Sequence, residues 1–210
     1  EIKRLFRRCR LIGRRFRLAH ILGENGNVIE TATFRAKPKD LEQGVIIFDD
    51  NQFGTPRSDA LRRDFTVNAL YYDAHRDEVI DYVDGLADLD QRLLRTIGEP
   101  VTRFREDPVR LLRAVKFAGR LGLQLHADVV AVAQTAAPWI HDCPVARVTE
   151  ELLRMMESGK AQPTLSIARD LGIVEAVIPE IHAHLAEEAG RWESYLEWLG
   201  HMDRVVQANG

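Results

Sequence analysis

The feature that most restricts the fold is a change of hydrophobic period close to Gly98. Before it, residues 11–22 mix apolar and basic side chains with a period near two after Gly13, which predicts a strand. Glu24-Asn25-Gly26-Asn27 follows as a hairpin signal, because Asn-Gly supplies the positive backbone angles of a tight turn, and residues 28–35 return as a strand rich in β-branched side chains. A lone hairpin is marginal in water, so further strands of the same sheet are expected upstream of residue 1. Residues 36–50 are polar and irregular and read as a loop. Between Asp59 and Gly98 short elements alternate, among them a strand over 79–83 and a short amphipathic helix over 86–94. After Gly98, apolar residues recur at helical spacing in Leu111, Ala114, Val115, Ala118 and Leu121, with Gly122 as a stop. Residues 162–171, 175–178 and 187–206 also lack strand alternation, and no longer repeat is present. The expected class is α+β, a mixed head followed by an all-α tail.

Composition narrows the rest. In 210 residues, 45% hydrophobic and 29% charged is ordinary globular usage, which excludes a disordered, collagen-like or coiled-coil chain. No apolar run approaches the roughly 18 residues of a membrane span. Glu1-Ile2-Lys3-Arg4-Leu5-Phe6 lacks the apolar core of a secretory signal, so a cytoplasmic location is expected. Cys9 and Cys143, far apart and without a Cys-x-x-Cys spacing, are expected to be reduced thiols rather than a disulfide or a zinc site. The net charge is −3, yet Lys or Arg occupies positions 3, 4, 7, 8, 10, 14, 15 and 17 against Glu1 alone in the first twenty residues. Such a cluster is the footprint of a phosphate or nucleic-acid surface; a solvated charged face is the alternative.

Two segments carry groups suited to a nucleotide. Leu61-Arg62-Arg63-Asp64-Phe65-Thr66-Val67-Asn68-Ala69-Leu70 sets two guanidinium groups, a carboxylate and an amide close together. Arginine offers forked, permanently charged donors to phosphate, and a carboxylate accepts from ribose hydroxyls. A helix start capped by Asp64, with arginines at the surface, is the alternative. In Arg105-Glu106-Asp107-Pro108-Val109-Arg110-Leu111-Leu112-Arg113, Asp107 stands where an N-cap would sit and Pro108 at the first helical position. Arg110 then puts a forked donor near the Asp107 acceptor, a pair able to read the edge of a base, and Arg113 extends the basic face. A capped helix with an ordinary surface ion pair is the alternative. His141-Asp142 reads as a loop pair, Glu180-Ile181-His182-Ala183-His184 as an exposed connection, and Trp139, Trp192 and Trp198 as core or interface residues.

Arg62-Arg63-Asp64-Phe65-Thr66-x-Asn68-Ala69, Asp81-x-x-x-Gly85-x-x-Asp88-Leu89, Glu106-Asp107-x-x-Arg110 and Pro144-x-Ala146-Arg147-x-x-Glu150-Glu151 resemble, in order, the ribose-recognition, head-to-neck, base-reading and neck motifs of the class II nucleotidyltransferases. This family comprises bacterial poly(A) polymerases and CCA-adding enzymes. Leu11-Ile12-Gly13-Arg14-Arg15-Phe16-Arg17-Leu18-Ala19-His20-Ile21 is similar to the signature that separates the poly(A) polymerases. The resemblance implies a polymerase-beta-like head, truncated at its N-terminus, over 1–98, a helical neck over 99–160, and the start of an RNA-binding helical body over 161–210.

The activity it implies is template-independent addition of AMP from ATP to RNA 3′ ends in bacterial mRNA processing, with RNA and ATP as partners. Arg63 and Asp64, with Arg62 and Asn68, would serve the ribose and phosphates. Asp107 and Arg110, with Arg113 beside them, would read adenine, and Arg14, Arg15 and Arg17 would line the path of RNA or triphosphate. The family's chemistry is attack of the RNA 3′-hydroxyl on the α-phosphate, assisted by two Mg²⁺ ions. Glu30 matches the third metal-binding carboxylate and, with Asp64, is the expected catalytic residue. The family's Gly-Gly-x-x-Arg-Asp turn and Asp-x-Asp ligands fall before residue 1, so the polypeptide as given is expected to be inactive. The loop after Arg35 is also shorter than the family's. Two other readings stand: a CCA-adding enzyme, which shares every motif, and a helical RNA-binding module without catalysis.

Overall fold

The computed structural model describes residues 2–12, 18–23, 26–36 and 53–209. The fold is α+β, and contacts divide the chain into two compact units, Glu1–Arg63 with Tyr71–Tyr82, and Asp64–Leu70 with Val83–Gly210.

The first unit opens with a helical turn, α1 (Ile2–Leu5), and an antiparallel sheet of β1 (Cys9–Ile12), β2 (Leu18–Leu22) and β3 (Val28–Thr31) in that order. Leu11 faces Ala19 and Ile12 faces Leu18, so the single strand expected over 11–22 is two strands. Alternation with period two is the same on both sides of a chain reversal, and therefore does not separate one long strand from a pair. The returning strand pairs as expected, with His20 opposite Glu30, and Gly26 takes the positive φ of the turn. Residues 37–50 of the expected loop, and Arg14, Arg15 and Arg17, lie outside the described residues.

A helix not anticipated from the sequence, α2 (Pro56–Arg62), follows. Its start is built by a capping box, in which Thr55 Oγ1 accepts from the Ser58 N–H and Ser58 Oγ accepts from the Thr55 N–H, with Pro56 in the first turn. A two-stranded sheet of β4 (Leu70–Asp73) and β5 (Glu78–Asp81) completes this part, β5 covering most of the strand expected over 79–83.

The second unit begins with a 3₁₀ turn, Thr66–Asn68, and α3 (Gly85–Asp90). The helix expected over 86–94 stops at Asp90. Arg92 takes a positive φ, and β6 (Leu93–Leu94) pairs in parallel with β7 (Gln124–Leu125). Then come α4 (Pro100–Glu106), α5 (Val109–Leu121), α6 (Ala127–Ala136), a 3₁₀ segment Ala137–Asp142, and α7 (Val145–Met156). The chain closes with α8 (Ala161–Asp170), α9 (Ile173–Val177), α10 (Pro179–Ala186) and α11 (Arg191–Asn209). The connection expected at 180–184 is thus helix α10, begun by Pro179, and His141-Asp142 ends a 3₁₀ segment rather than lying in a loop. Among the described residues no helix is long and apolar enough to cross a membrane.

The periodicity after Gly98 marks the buried face of α5: Leu111, Ala114, Val115 and Ala118 are buried. Leu121 is exposed, because it ends the helix just before Gly122 turns left-handed with φ +64°. Phe104, Leu112, Val129, Ile140, Ile173 and Trp192 belong to the main core, while Trp198 stacks on Tyr195 at the surface. Helix α5 crosses α8 so closely that a Cβ on Gly119 would lie 2.3 Å from Thr164 Oγ1 and 2.7 Å from its Cα. The first N–H groups of α8, from Ala161 and Gln162, donate to Asp203 Oδ1 at 2.7 Å and Oδ2 at 2.9 Å. That carboxylate comes from α11 and meets the positive end of the α8 dipole.

Alanine is otherwise favoured over glycine inside a helix by about 1 kcal/mol. Gly119→Ala is nevertheless expected to lower stability by about 1–3 kcal/mol, because the α5–α8 crossing must open. A urea titration followed by far-UV circular dichroism measures this, and an unchanged or higher midpoint would contradict the crossing.

Candidate nucleotide-binding site

In the first unit the two arginines of the ribose-type motif converge on a carboxylate from their own helix. Asp59 is 6% exposed and accepts from Arg62 Nε at 3.1 Å, Arg63 Nε at 3.1 Å, Tyr71 Oη at 3.0 Å and the Arg35 N–H at 3.2 Å. The spacing of i+3 and i+4 on α2 makes the two ion pairs possible. Burial by itself would raise the Asp59 pKa, but the bonds from Arg35, Arg62 and Tyr71 and the charge of Arg63 hold it below its ordinary value. Burial and the bond to Asp59 push the Tyr71 phenol up.

In the second unit Asp64 is the centre. Its Oδ2 accepts a fork from Arg113, Nη2 at 2.6 Å and Nε at 2.7 Å, and its Oδ1 accepts from the Phe65 N–H at 3.0 Å and Asn68 Nδ2 at 3.1 Å. The alternative of Asp64 as a helix cap is not realised: Phe65 holds the cap position of the 3₁₀ turn, with no side chain capping it. Arg113 also reaches Glu151 Oε1 of α7 at 3.5 Å, and Glu151 Oε2 is bound by the buried Lys116 ammonium. Thr66 donates to the buried Asp88 at 2.7 Å, which also receives Arg95 Nε at 3.1 Å. Gly85 presses on the Thr66 carbonyl, where a Cβ would sit 2.5 Å from the oxygen. The glycine and second aspartate of the head-to-neck motif are explained by these two contacts.

At the start of α5 the expected acceptor and donor are each held by other groups. Asp107 is extended and Pro108 already helical, but the Asp107 side chain does not cap the helix. Its carbonyl takes the Arg110 N–H at 3.0 Å, its Oδ2 accepts from Arg147 Nη2 at 2.8 Å, and its Oδ1 is buried without a hydrogen-bond partner. The bond to Asp107 raises the Arg147 pKa. Arg110 Nη1 donates to Glu106 Oε2 at 2.8 Å and the Arg103 carbonyl at 2.9 Å. Arg103 is 3% exposed and pairs with the same Glu106 oxygen; burial and the Arg110 charge lower its pKa. Among the described residues no ion pair joins Asp107 to Arg110, so the ordinary surface pair is not what forms. The Arg105 guanidinium lies 3.5 Å over the ring of Trp139.

The sequence-predicted residues therefore fall into two groups. Arg62 and Arg63 stand with Asp59 in the first unit; Asp64, Asn68, Arg113, Asp107 and Arg110 stand in the second. Glu30 is exposed on β3, its Oε1 3.0 Å from His20 Nε2 across the sheet. Among the described residues no group of three or more His, Cys, Asp or Glu could hold a metal ion. Glu30 and His20 alone do not fit the oxygen-rich set that Mg²⁺ requires. Asp59, Tyr71 and Lys116 were not singled out from sequence. The i+3 and i+4 arginines could have pointed to Asp59, but no local pattern points to the other two.

The small antiparallel sheet followed by a helical stretch is the α+β arrangement of a nucleotidyltransferase head with the helices that follow it, as the comparisons show. A family model described as the poly A polymerase head domain matches residues 1–95, and one described as the probable RNA and SrmB-binding site of polymerase A matches 122–185. The chain is 39% identical to poly(A) polymerase I of Salmonella typhimurium over 196 residues, which is 89% of this chain and 42% of that protein. It is 29% identical to the CCA-adding enzyme of Bacillus velezensis over 224 residues, 99% of this chain and 55% of that protein. The crystal structure of the Bacillus stearothermophilus CCA-adding enzyme in complex with CTP superposes with a TM-score of 0.72 at 26% identity, covering 95% of this chain and 45% of that one. The chain belongs to the class II nucleotidyltransferases, the family of bacterial poly(A) polymerases and CCA-adding enzymes. It spans about four tenths of the length of the poly(A) polymerases it matches.

The Asp59 hub makes an acid-sensitive contribution. A carboxylate whose folded pKa lies below its unfolded value of about 3.9 adds stability that is fully present above that value and is lost as pH falls through the folded pKa. At pH 7, Asp59→Asn is expected to cost about 2–3 kcal/mol in urea unfolding, the size of hydrogen bonds to a charged group. The gap to the unaltered protein should close as pH drops below about 4; a gap independent of pH would refute the assignment.

Proposed function

We propose that the protein carrying this chain adds AMP from ATP to RNA 3′ ends without a template. The observation that carries this reading is the start of α5. Asp107 and Arg110 are fixed by separate neighbours, Arg147 for one and Glu106 with the Arg103 carbonyl for the other, instead of neutralising each other. Asp107 Oδ1 keeps an acceptor without a protein donor, and Arg110 keeps Nε and Nη2 beyond the Nη1 that its neighbours engage. An acceptor without a protein donor and a guanidinium three residues further along the chain match in kind the edge of adenine, which offers an amino donor and ring-nitrogen acceptors.

In this reading Asp64 and Asn68 serve the ribose. Asp64 already accepts four hydrogen bonds, as many as a carboxylate's lone pairs take, so a ribose hydroxyl binds it by replacing one donor. Arg62 and Arg63, held by Asp59, are assigned to the phosphates, for which a guanidinium is a suited donor. Helices α4 to α7 act as the neck and α8 to α11 as the start of a body that holds RNA. Arg14, Arg15 and Arg17 would add cationic charge on the path of RNA or triphosphate. Glu30 is assigned to the metal-assisted chemistry only together with carboxylates that the described residues do not supply.

The adenylating branch is favoured by identity and extent together: 39% over 89% of this chain to poly(A) polymerase I, whereas the CCA-adding enzymes reach 42% over only 65% of the chain or 29% over 99% of it. The test is extension of an oligoribonucleotide by the full-length gene product with Mg²⁺ and each nucleoside triphosphate in turn. A long ladder with ATP alone is expected. Short products that need CTP and ATP would move the protein to CCA addition, and RNA affinity without extension would leave a binding module. Asp107→Ala should reduce discrimination for ATP roughly ten- to a hundredfold, the loss of one bond to a charged acceptor. Equal loss with all four nucleotides would refute the base-reading role.

A further inference from the structure

Lys116 is the one lysine buried in the core face of α5, beside Leu112, Ala114 and Val115, and is 6% exposed. Its ammonium binds Oε2 of Glu151, itself 6% exposed. Glu151 Oε1 faces Arg113 Nη1 at 3.5 Å and Arg154 Nη1 at 3.8 Å, and Arg113 in turn forks onto Asp64 Oδ2. A buried ion pair is a weak stabiliser compared with apolar side chains of the same size, so stability does not account for this lysine. Its effect is on where Arg113 goes. That guanidinium stands between two carboxylates, and in a poorly solvated site the one left unneutralised attracts it more strongly.

We infer that Lys116 is a positioning residue for the ribose-binding carboxylate: by neutralising Glu151 it leaves Arg113 committed to Asp64. Without the ammonium, Glu151 draws Arg113 away, and Asp64 loses the two donors that hold its Oδ2. The functional consequence rests on the assignment of Asp64 to the ribose. The structural consequence does not.

The test uses the full-length protein and the ratio of kcat/KM for ATP to that for 2′-deoxyATP in extension of an oligoribonucleotide. Lys116→Met is expected to lower this ratio roughly tenfold, an ordinary coupling between members of one charged network. Lys116→Arg, which keeps the charge, should retain it. The double variant Lys116→Met/Glu151→Gln should recover most of the ratio, because Arg113 then has no competing anion. Equal losses with both nucleotides, or a double variant worse than the single one, would reduce Lys116 to a packing role. If Lys116→Met does not fold, Lys116→Gln takes its place. An Asp64→Asn variant with an unchanged ratio would sink the ribose assignment instead. The relay is then judged by a crystal structure of Lys116→Met, where Arg113 turned to Glu151 supports it and Arg113 still on Asp64 overturns it.

Discussion

The fork that Arg113 extends to Asp64 is the interaction on which the site in the helical unit depends. It fastens residues 64–70 to α5, while Phe65, fully buried among Leu94, Ala114 and Ala118, seats the same segment in a small apolar core. Thr66 and Asp88 tie it a second time, to α3. Arg113 lies one helical turn after Arg110, and the extended Asp107 stands just before the Pro108 that begins α5. Asp64, through Arg113, and Arg110 are therefore positioned by successive turns of one helix, and an error in the placement of one is an error in both.

Charge in this unit does what apolar contact does not: it fixes direction. Leu111, Val115 and Ala118 tolerate small rotations, since dispersion is not directional. Two guanidinium nitrogens on one carboxylate oxygen set a distance and a direction. Arg147 on Asp107 and Glu106 on Arg110 fix those two groups by single charged bonds. The neck motif that contributes Arg147 and Glu151 thus acts at two points of α5 from one face of α7.

Much of this was legible in the sequence where the signal is local. The helical tail, the buried face of α5, the Gly122 stop, the β2–β3 hairpin and the four motif segments are all patterns within a few residues. What was not legible depends on reversal or on distance. The period-two run over 11–22 conceals a reversal, and alternate histidines after Pro179 suit an exposed connection as well as the first turns of α10. Tyr71 reaches Asp59 from twelve residues away, Thr66 reaches Asp88 across 22, and Lys116 reaches Glu151 across 35, and no periodicity encodes such pairings. The second glycine of the tight contacts, Gly119, looks like an ordinary small residue until Thr164 of α8 is laid against it.

The cap that Asp203 places on α8 has a bearing on how the chain is made. Helix α8 leaves the ribosome some forty residues before the carboxylate that completes it, the bonds from Ala161 and Gln162 spanning 42 and 41 positions. Until then the first amides of α8 have only water, and the helix against which α5 packs remains unfinished at the end nearest Thr164. The start of α8 is therefore complete only after α11 has emerged. Helix α11, far in sequence from Asp64 and Asp107, supplies the last partner of the helix that α5 crosses.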